Sequence, residues 1–188
     1  MSLDYWEVAR MRLPSSWITE RLIIRNTIPE DSEALKQICV SWKDKILVEG
    51  EAFSEGFIEE CIRKGDVPPI ENADAANSYM LTIQDVNNKI IGFFNLYHGY
   101  PDKDTLWISM FVIDAEFHGC GLGQEVISSL SLEGKKRGWK AIGLGVYLKN
   151  WKGIRFWFHN GFNSITGIYG DKEYSENSFS LMVLRKEL

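Results

Sequence analysis

The chain has 188 residues, 45% of them hydrophobic and 25% charged, with a formal net charge of −5. That length suits one domain with additions, and that composition excludes collagen-like, coiled-coil and wholly disordered chains. The excess of acid disfavours the broad basic footprint of nonspecific nucleic-acid binding, and no apolar stretch reaches the roughly 20 residues of a membrane-spanning helix.

Residues 1–6 carry no basic region leading into an apolar one, so no secretory signal is read and a cytoplasmic location is expected. Cys39, Cys61 and Cys120 form neither a C-x-x-C pair nor a zinc-spaced set, so neither a disulfide framework nor a metal site is expected. Arg21 to Arg25 reads as a short strand. Thr27-Ile28-Pro29-Glu30 has the spacing of a capping box, which opens a helix whose apolar face is Ala34, Leu35, Ile38 and Trp42. A shorter helix from Ser54 puts Phe57, Ile58, Cys61 and Ile62 on one face, and Gly65 to Ser78 follows as a loop.

Tyr79 to Gln84 and Ile90 to Tyr97 read as strands joined across Val86-Asn87-Asn88-Lys89, because asparagine tolerates the left-handed conformation of a tight turn. A turn at Tyr100 to Lys103 leads to a third antiparallel strand, Leu106 to Ile113. Leu122, Val126, Ile127 and Leu130 recur at helical spacing, and Lys135, Lys136 and Arg137 before Gly138 suit a helix C-terminus. A strand from Ala141 to Leu148, a helix from Trp151 to His159 and strands near Phe162 to Ile168 and Ser178 to Leu184 complete an α/β chain.

The chemistry concentrates in Phe117-His118-Gly119-Cys120-Gly121-Leu122-Gly123-Gln124, between a strand and the best-defined helix. Glycines let backbone N–H groups face a ligand without a Cβ in the way, and the first turn of a helix adds partial positive charge, which together make a phosphate site. The spacing is neither the dinucleotide G-x-G-x-x-G nor a P-loop. The alternative is an ordinary glycine-rich turn closing a strand–helix connection.

The run Ile113-Asp114-Ala115-Glu116-Phe117-His118-Gly119-Cys120-Gly121-Leu122-Gly123 resembles the acetyl-CoA-binding motif of the GNAT N-acetyltransferases, Q/R-x-x-G-x-G/A. Thr19-Glu20-Arg21-Leu22-Ile23-Ile24-Arg25 with Pro29-Glu30-Asp31 is similar to the first strand and helix entry of the branch containing ribosomal-protein N-terminal acetyltransferases. Leu144-Gly145-Val146 with Asn150, and Phe156-Trp157-Phe158-His159-Asn160-Gly161-Phe162, resemble two further family segments. The resemblance covers the chain from about Thr19 onward. It implies one N-acetyltransferase domain over residues 1–188, with a mixed, mostly antiparallel sheet flanked by helices and splayed between the strands ending at Ile113 and Leu148.

The resemblance also implies site roles. The CoA pyrophosphate falls to backbone N–H groups across Gly119, Cys120, Gly121, Leu122, Gly123 and Gln124, with His118 standing where the family has Gln or Arg. The pantetheine arm falls to main-chain groups of Phe111 and Ile113, as an added strand. Asn150 would close the site from the next βα junction; capping the helix that begins at Trp151 is an equally good use of its side chain, and the two roles can coexist. Trp157 stands where many members carry a general-acid tyrosine, and indole N–H has no useful acidity; Tyr147 is an alternative acid, with a packed strand aromatic as its plainer role. Cys120 lies inside the phosphate turn and is not read as a nucleophile.

For removal of the ammonium proton, Glu49, Glu51 and His98 are candidate bases, and Ser109 is a candidate for positioning a water. Trp42 and Trp107 are candidate walls of an acceptor pocket. The expected activity is acetyl-CoA-dependent transfer of an acetyl group to a primary amine of a small molecule or a protein N-terminus. The alternative is a non-catalytic acyl-CoA-binding sensor or interaction domain. Neither a nucleic acid nor a membrane is an expected partner, and a homodimer is admissible.

Overall fold

The computed structural model describes residues 12–188, so the N-terminal residues 1–6 read for a signal lie outside the described residues. In chain order the elements are β1 (Ser16–Ile18), β2 (Leu22–Asn26), α1 (Ser32–Ser41), α2 (Lys45–Glu49), α3 (Phe57–Lys64), β3 (Ser78–Asp85), β4 (Ile90–His98), β5 (Thr105–Ile113), α4 (Leu122–Lys136), β6 (Ala141–Tyr147), α5 (Trp151–His159), β7 (Ser164–Gly170) and β8 (Ser180–Glu187). The strands form one 8-stranded sheet in the order β1-β2-β3-β4-β5-β6-β8-β7. β5 and β6 run parallel and every other pairing is antiparallel, the mixed, mostly antiparallel sheet expected. No helix among the described residues is long and apolar enough to cross a membrane.

Helices cover both faces of this sheet, which is why β4, at its centre, is buried along nearly its whole length and reads as a continuous apolar run. On one face Leu122, Val126, Ile127 and Leu130 of α4 pack with Leu106, Ile108 and Leu144. On the other, Leu35 and Ile38 of α1 and Ile58 of α3 pack on Phe93 and Val112. The β3–β4 hairpin turns through Asn88 at φ 65°, the left-handed position its asparagines suggest.

Two elements lack a sequence signal. β1 is only three residues long, too short for alternation to register. α2 inverts the usual polarity: Lys45 is buried while Ile46 and Leu47 are 57% and 73% exposed, so its apolar pattern points the wrong way.

The cap at the entry to α1 also differs from the Thr27 box. The Ile28 N–H donates to Asp31 Oδ2 at 3.0 Å, and Asp31 accepts both Arg25 Nη groups at 2.7 and 2.8 Å and the Thr82 hydroxyl at 3.0 Å. With its proton on Asp31, Thr82 accepts from Thr27, whose hydroxyl lies 2.9 Å away and is thereby withdrawn from capping. Burial alone would raise the Asp31 carboxyl, but the bonds from Arg25, Ile28 and Thr82 outweigh it and hold it below the ordinary carboxylate range.

Asp31→Ala leaves Arg25 facing a site built for its partner. Breaking such a pair costs about 3–5 kcal/mol, and the partial exposure of Arg25 favours the lower end. Urea unfolding at neutral pH is expected to show that loss. A depressed folded pKa gives stability that is complete above the unfolded aspartate value of about 3.9 and fades as pH falls through the folded one. The difference between parent and Asp31→Ala should therefore shrink in acid, and a difference independent of pH would contradict the ion pair.

Candidate active site

β5 and β6 are hydrogen-bonded only from Thr105↔Ala141 to Ile108↔Leu144. Beyond Ile108 the register against β4 shifts, Asn95 facing Met110 and Leu96 facing Ile108, so Ser109 is an extra, bulged residue of β5. The bulge bends β5 away from β6 and opens a cavity of about 490 Å³ lined by Ile108–Phe111, Leu144–Tyr147, Asn150 and Trp157. Asp114 N–H bonds Ile91 O across to β4 at 2.8 Å. By the alternation of an antiparallel ladder, the main-chain groups of Phe111 and Ile113 turn toward the gap, the two residues expected to hold an extended arm.

The glycine loop follows directly on the open end of β5. Gly119 and Gly121 both take φ 78°, a conformation that glycine adopts without strain, and Gly121 is the N-cap of α4. Glu125 N–H, bonded to Gly121 O at 3.1 Å, is the first amide to close a helical turn. The amides of Leu122, Gly123 and Gln124 are therefore the orphan donors of a helix N-terminus. A Cβ on Gly119 would meet nothing within 4 Å, so the loop is open on that side, whereas one on Gly123 would come 3.1 Å from the Phe156 ring. Gly123 serves the packing of α4 on α5. Cys120 is exposed, its thiol directed at His118 O at 3.7 Å.

His118 Nε2 lies 2.8 Å from Ile113 O and so carries a proton it donates there; the imidazole ties the loop to the end of β5. Asn150 Oδ1 accepts the Gly153 N–H at 2.8 Å and caps α5, and the residue also lines the cavity. Trp157 is 7% exposed and packs edge-on against Phe111, Phe156 and Phe162 at 5.5, 4.8 and 5.1 Å. It closes one wall of the gap as a packed aromatic.

The other side of the cavity is built from α1, α2 and the segment after them. Trp42, Phe53 and Trp107 wall it, and Glu49 and Glu51 line it. Glu49 is held by Lys45 Nζ at 3.0 Å, and Lys45 also donates to Glu51 O at 3.1 Å beneath the Phe53 ring. Burial, then the Glu49 and Glu51 charges, raise the Tyr147 phenol above its ordinary value. Ser109 lines the cavity and donates its hydroxyl proton to Asp66 Oδ2 at 2.6 Å; Asn95 Nδ2 donates to the same oxygen at 3.2 Å.

His98 is not brought to this place. It pairs with Leu106, in the half of β5 that still pairs with β6, and it stacks on Tyr79 at 4.5 Å beside Trp139. Burial pushes its imidazole down to about 4, with the Arg12 charge adding to the effect. Strand length carries His98 past the gap, which does not supply a base from this position. Asp66 and Lys45 carry no sequence signal: Asp66 sits in the Gly65 to Ser78 loop, and its meeting with Ser109 is a tertiary contact.

Residues 48–162 match the family model of the acetyltransferase (GNAT) family. A search of curated protein sequences finds no match. The fold is similar to an acetyltransferase from Thermus thermophilus, with a TM-score of 0.66 and 16% identity, covering 92% of this chain and 100% of that one. It is similar also to the ribosomal-protein-S5-alanine acetyltransferase from Vibrio fischeri, with a TM-score of 0.65 and 15% identity, covering 93% of this chain and 97% of that one. An acetyltransferase from Bacillus anthracis str. Ames, solved in complex with acetyl coenzyme A, has a TM-score of 0.51 and 20% identity over 60% of this chain and 63% of that one. At these identities the likeness is one of fold.

Proposed function

The chain belongs to the acetyltransferase (GNAT) family, and from that premise we propose that it works as one domain transferring the acetyl group of acetyl-CoA to a primary amine of a small molecule or a protein N-terminus. The observation that carries this reading is a coincidence of place: the strands part beyond Ile108, and the glycine loop with the α4 N-terminus stands where β5 leaves off. The residues fit the cosubstrate. Amides of Leu122 to Gln124 suit a pyrophosphate, the open side of Gly119 leaves it room, and the β5 edge at Phe111 and the Ile113 N–H suits an extended amide-bearing arm, the Ile113 carbonyl being bonded by His118.

Bound acetyl-CoA supplies a thioester whose carbonyl carbon accepts a neutral amine and whose sulfur departs as a thiolate. The chain supplies position and proton transfer. We assign the developing oxygen charge to main-chain N–H groups of β5 beyond the bulge, in a cavity that Phe111 and Trp157 line, where a fixed donor stabilises it far better than in water. Trp42, Phe53 and Trp107 orient the amine, and the Glu51 carboxylate, with Glu49 already paired to Lys45, favours its arrival as a cation.

Ser109 takes the ammonium proton, directly or through one water, as it releases its own to Asp66. The Tyr147 phenol, kept protonated by burial and its acidic neighbours, is a proton source for the departing sulfur. None of these steps needs a proton from Trp157.

The test combines calorimetry with CoA, thermal shift, and free-thiol release from acetyl-CoA across a panel of amines. CoA is expected to bind and to stabilise the fold by about 2.7 kcal/mol at a hundredfold excess over Kd, and at least one amine is expected to turn over. A folded protein whose melting temperature ignores millimolar CoA would overturn the proposal. Binding without turnover of any amine would favour the sensor.

A further inference from the structure

The tight turn from β1 into β2 brings Arg21 against the glycine loop, 104 residues away in sequence from Glu125. Glu125, in the first turn of α4, is bonded by the Arg21 N–H at 2.8 Å, by Arg21 Nε at 2.7 Å and by the Thr19 hydroxyl. Arg21 Nη1 donates to Cys120 O at 3.0 Å. These two side-chain bonds use two of the five N–H groups of a guanidinium. The rest sit on a side chain 47% exposed, and Nη2 lies 3.6 Å from where a Cβ on Gly121 would project. The Nη2 group thus borders the face of the loop that glycine leaves bare.

His118, at the motif position where Gln or Arg is expected, has its Nε2 bonded to Ile113 O. Arg21, bonded to the Cys120 carbonyl within the loop, brings a permanent positive charge to it. Resting on the acetyl-CoA reading above, we propose that Arg21 is a ligand of the CoA pyrophosphate, its outer N–H groups bonding the phosphate oxygens while Glu125 and the Cys120 carbonyl hold the fork in place. An arginine held through Nε and Nη1 has its plane fixed and is pre-organised to offer its remaining N–H groups, those of Nη2 among them, to an anion. A carboxylate in the first helical turn would oppose a phosphate, and the same guanidinium offsets it.

The experiment is calorimetric titration of CoA, dephospho-CoA and pantetheine into the parent, Arg21→Gln, Glu125→Gln and the double variant, with thermal melts to establish folding. Arg21→Gln is expected to weaken CoA and dephospho-CoA at least tenfold alike and to leave pantetheine unchanged. The double variant is expected to bind CoA at least tenfold more weakly than Glu125→Gln. Equal CoA affinity in those two proteins would mean that Arg21 only masks Glu125, and would overturn the proposal while the acetyl-CoA reading stands.

Weakening of CoA but not of dephospho-CoA would move the contact to the 3′-phosphate and overturn the pyrophosphate assignment. Pantetheine weakened as much as CoA would mean a collapsed loop and would overturn it as well. Arg21→Lys, which keeps the charge without the fork, is expected to recover part of the loss and decides the matter if Arg21→Gln melts early. No CoA binding by the parent would remove the acetyl-CoA reading and this one with it.

Discussion

Gly121→Val is expected to raise the Kd for CoA by at least about a hundredfold, equivalent to about 2.7 kcal/mol, while leaving the fold recognisable. Two effects act together. Gly121 sits at φ 78°, where a side chain costs roughly 1–2 kcal/mol even without β-branching, so valine drives the N-cap of α4 toward another conformation and turns the amides of Leu122 and Gly123 off their common focus. Its methyl groups also enter the space beside Arg21 Nη2, 3.6 Å from the Cβ position. Gly119→Ala makes the informative partner, since it shares φ 78° but its Cβ meets nothing within 4 Å; it is expected to weaken CoA much less than valine at Gly121. Calorimetry on both, with far-ultraviolet circular dichroism as the check on folding, reads the outcome. Parent-like affinity in Gly121→Val would mean that the loop is not the phosphate cradle.

That loop was visible in the sequence because its shape rests on positive φ at Gly119 and Gly121, and a backbone that needs positive φ leaves glycine behind as a mark. The helix after it was visible for a similar reason: burial on one face imposes a 3.6-residue period on Leu122, Val126, Ile127 and Leu130. Side chains that act by meeting a distant partner leave no such mark. Asp66 and Ser109 lie 43 residues apart and join only because a bulge in β5 turns Ser109 toward the loop after α3. Arg21 stands in a recognisable strand motif, yet its contact with Cys120 and Glu125 depends on how β1 and β2 fold over α4. Lys45 reads as a surface residue until α2 buries it against Phe53 and Glu49. His98 shows the converse. An ionisable residue at the end of a central strand suggests chemistry, but the two strands part at Ile108 and His98 lies on the paired side of that point.

The bulge also decides where acid–base chemistry can be tested. Asp66→Asn and Ser109→Ala are each expected to lower kcat about a hundredfold with whichever amine the parent acetylates fastest, the low end of the 10²–10⁴ range for a positioned proton acceptor. CoA affinity should be unchanged, because neither residue lies on the phosphate loop. If the two act as one relay, the double variant loses little beyond either single one, since removing Ser109 already disconnects Asp66. The pH profile separates this role from a structural one. With the relay intact, the bound amine loses its proton to Ser109 at pH values below its solution pKa; without it, the rate depends on the fraction of amine already neutral, and log kcat should rise with unit slope up to that pKa. Trp157→Phe, measured in the same series, is expected to keep most of kcat, because the ring fills the aromatic wall beside Phe111, Phe156 and Phe162 without donating a proton. Full activity in Ser109→Ala with an unchanged pH profile would eliminate the relay and return the search for the base to Glu49 and Glu51, which line the same cavity. A hundredfold loss in a folded Trp157→Phe that still binds CoA would assign the indole a direct part in the reaction.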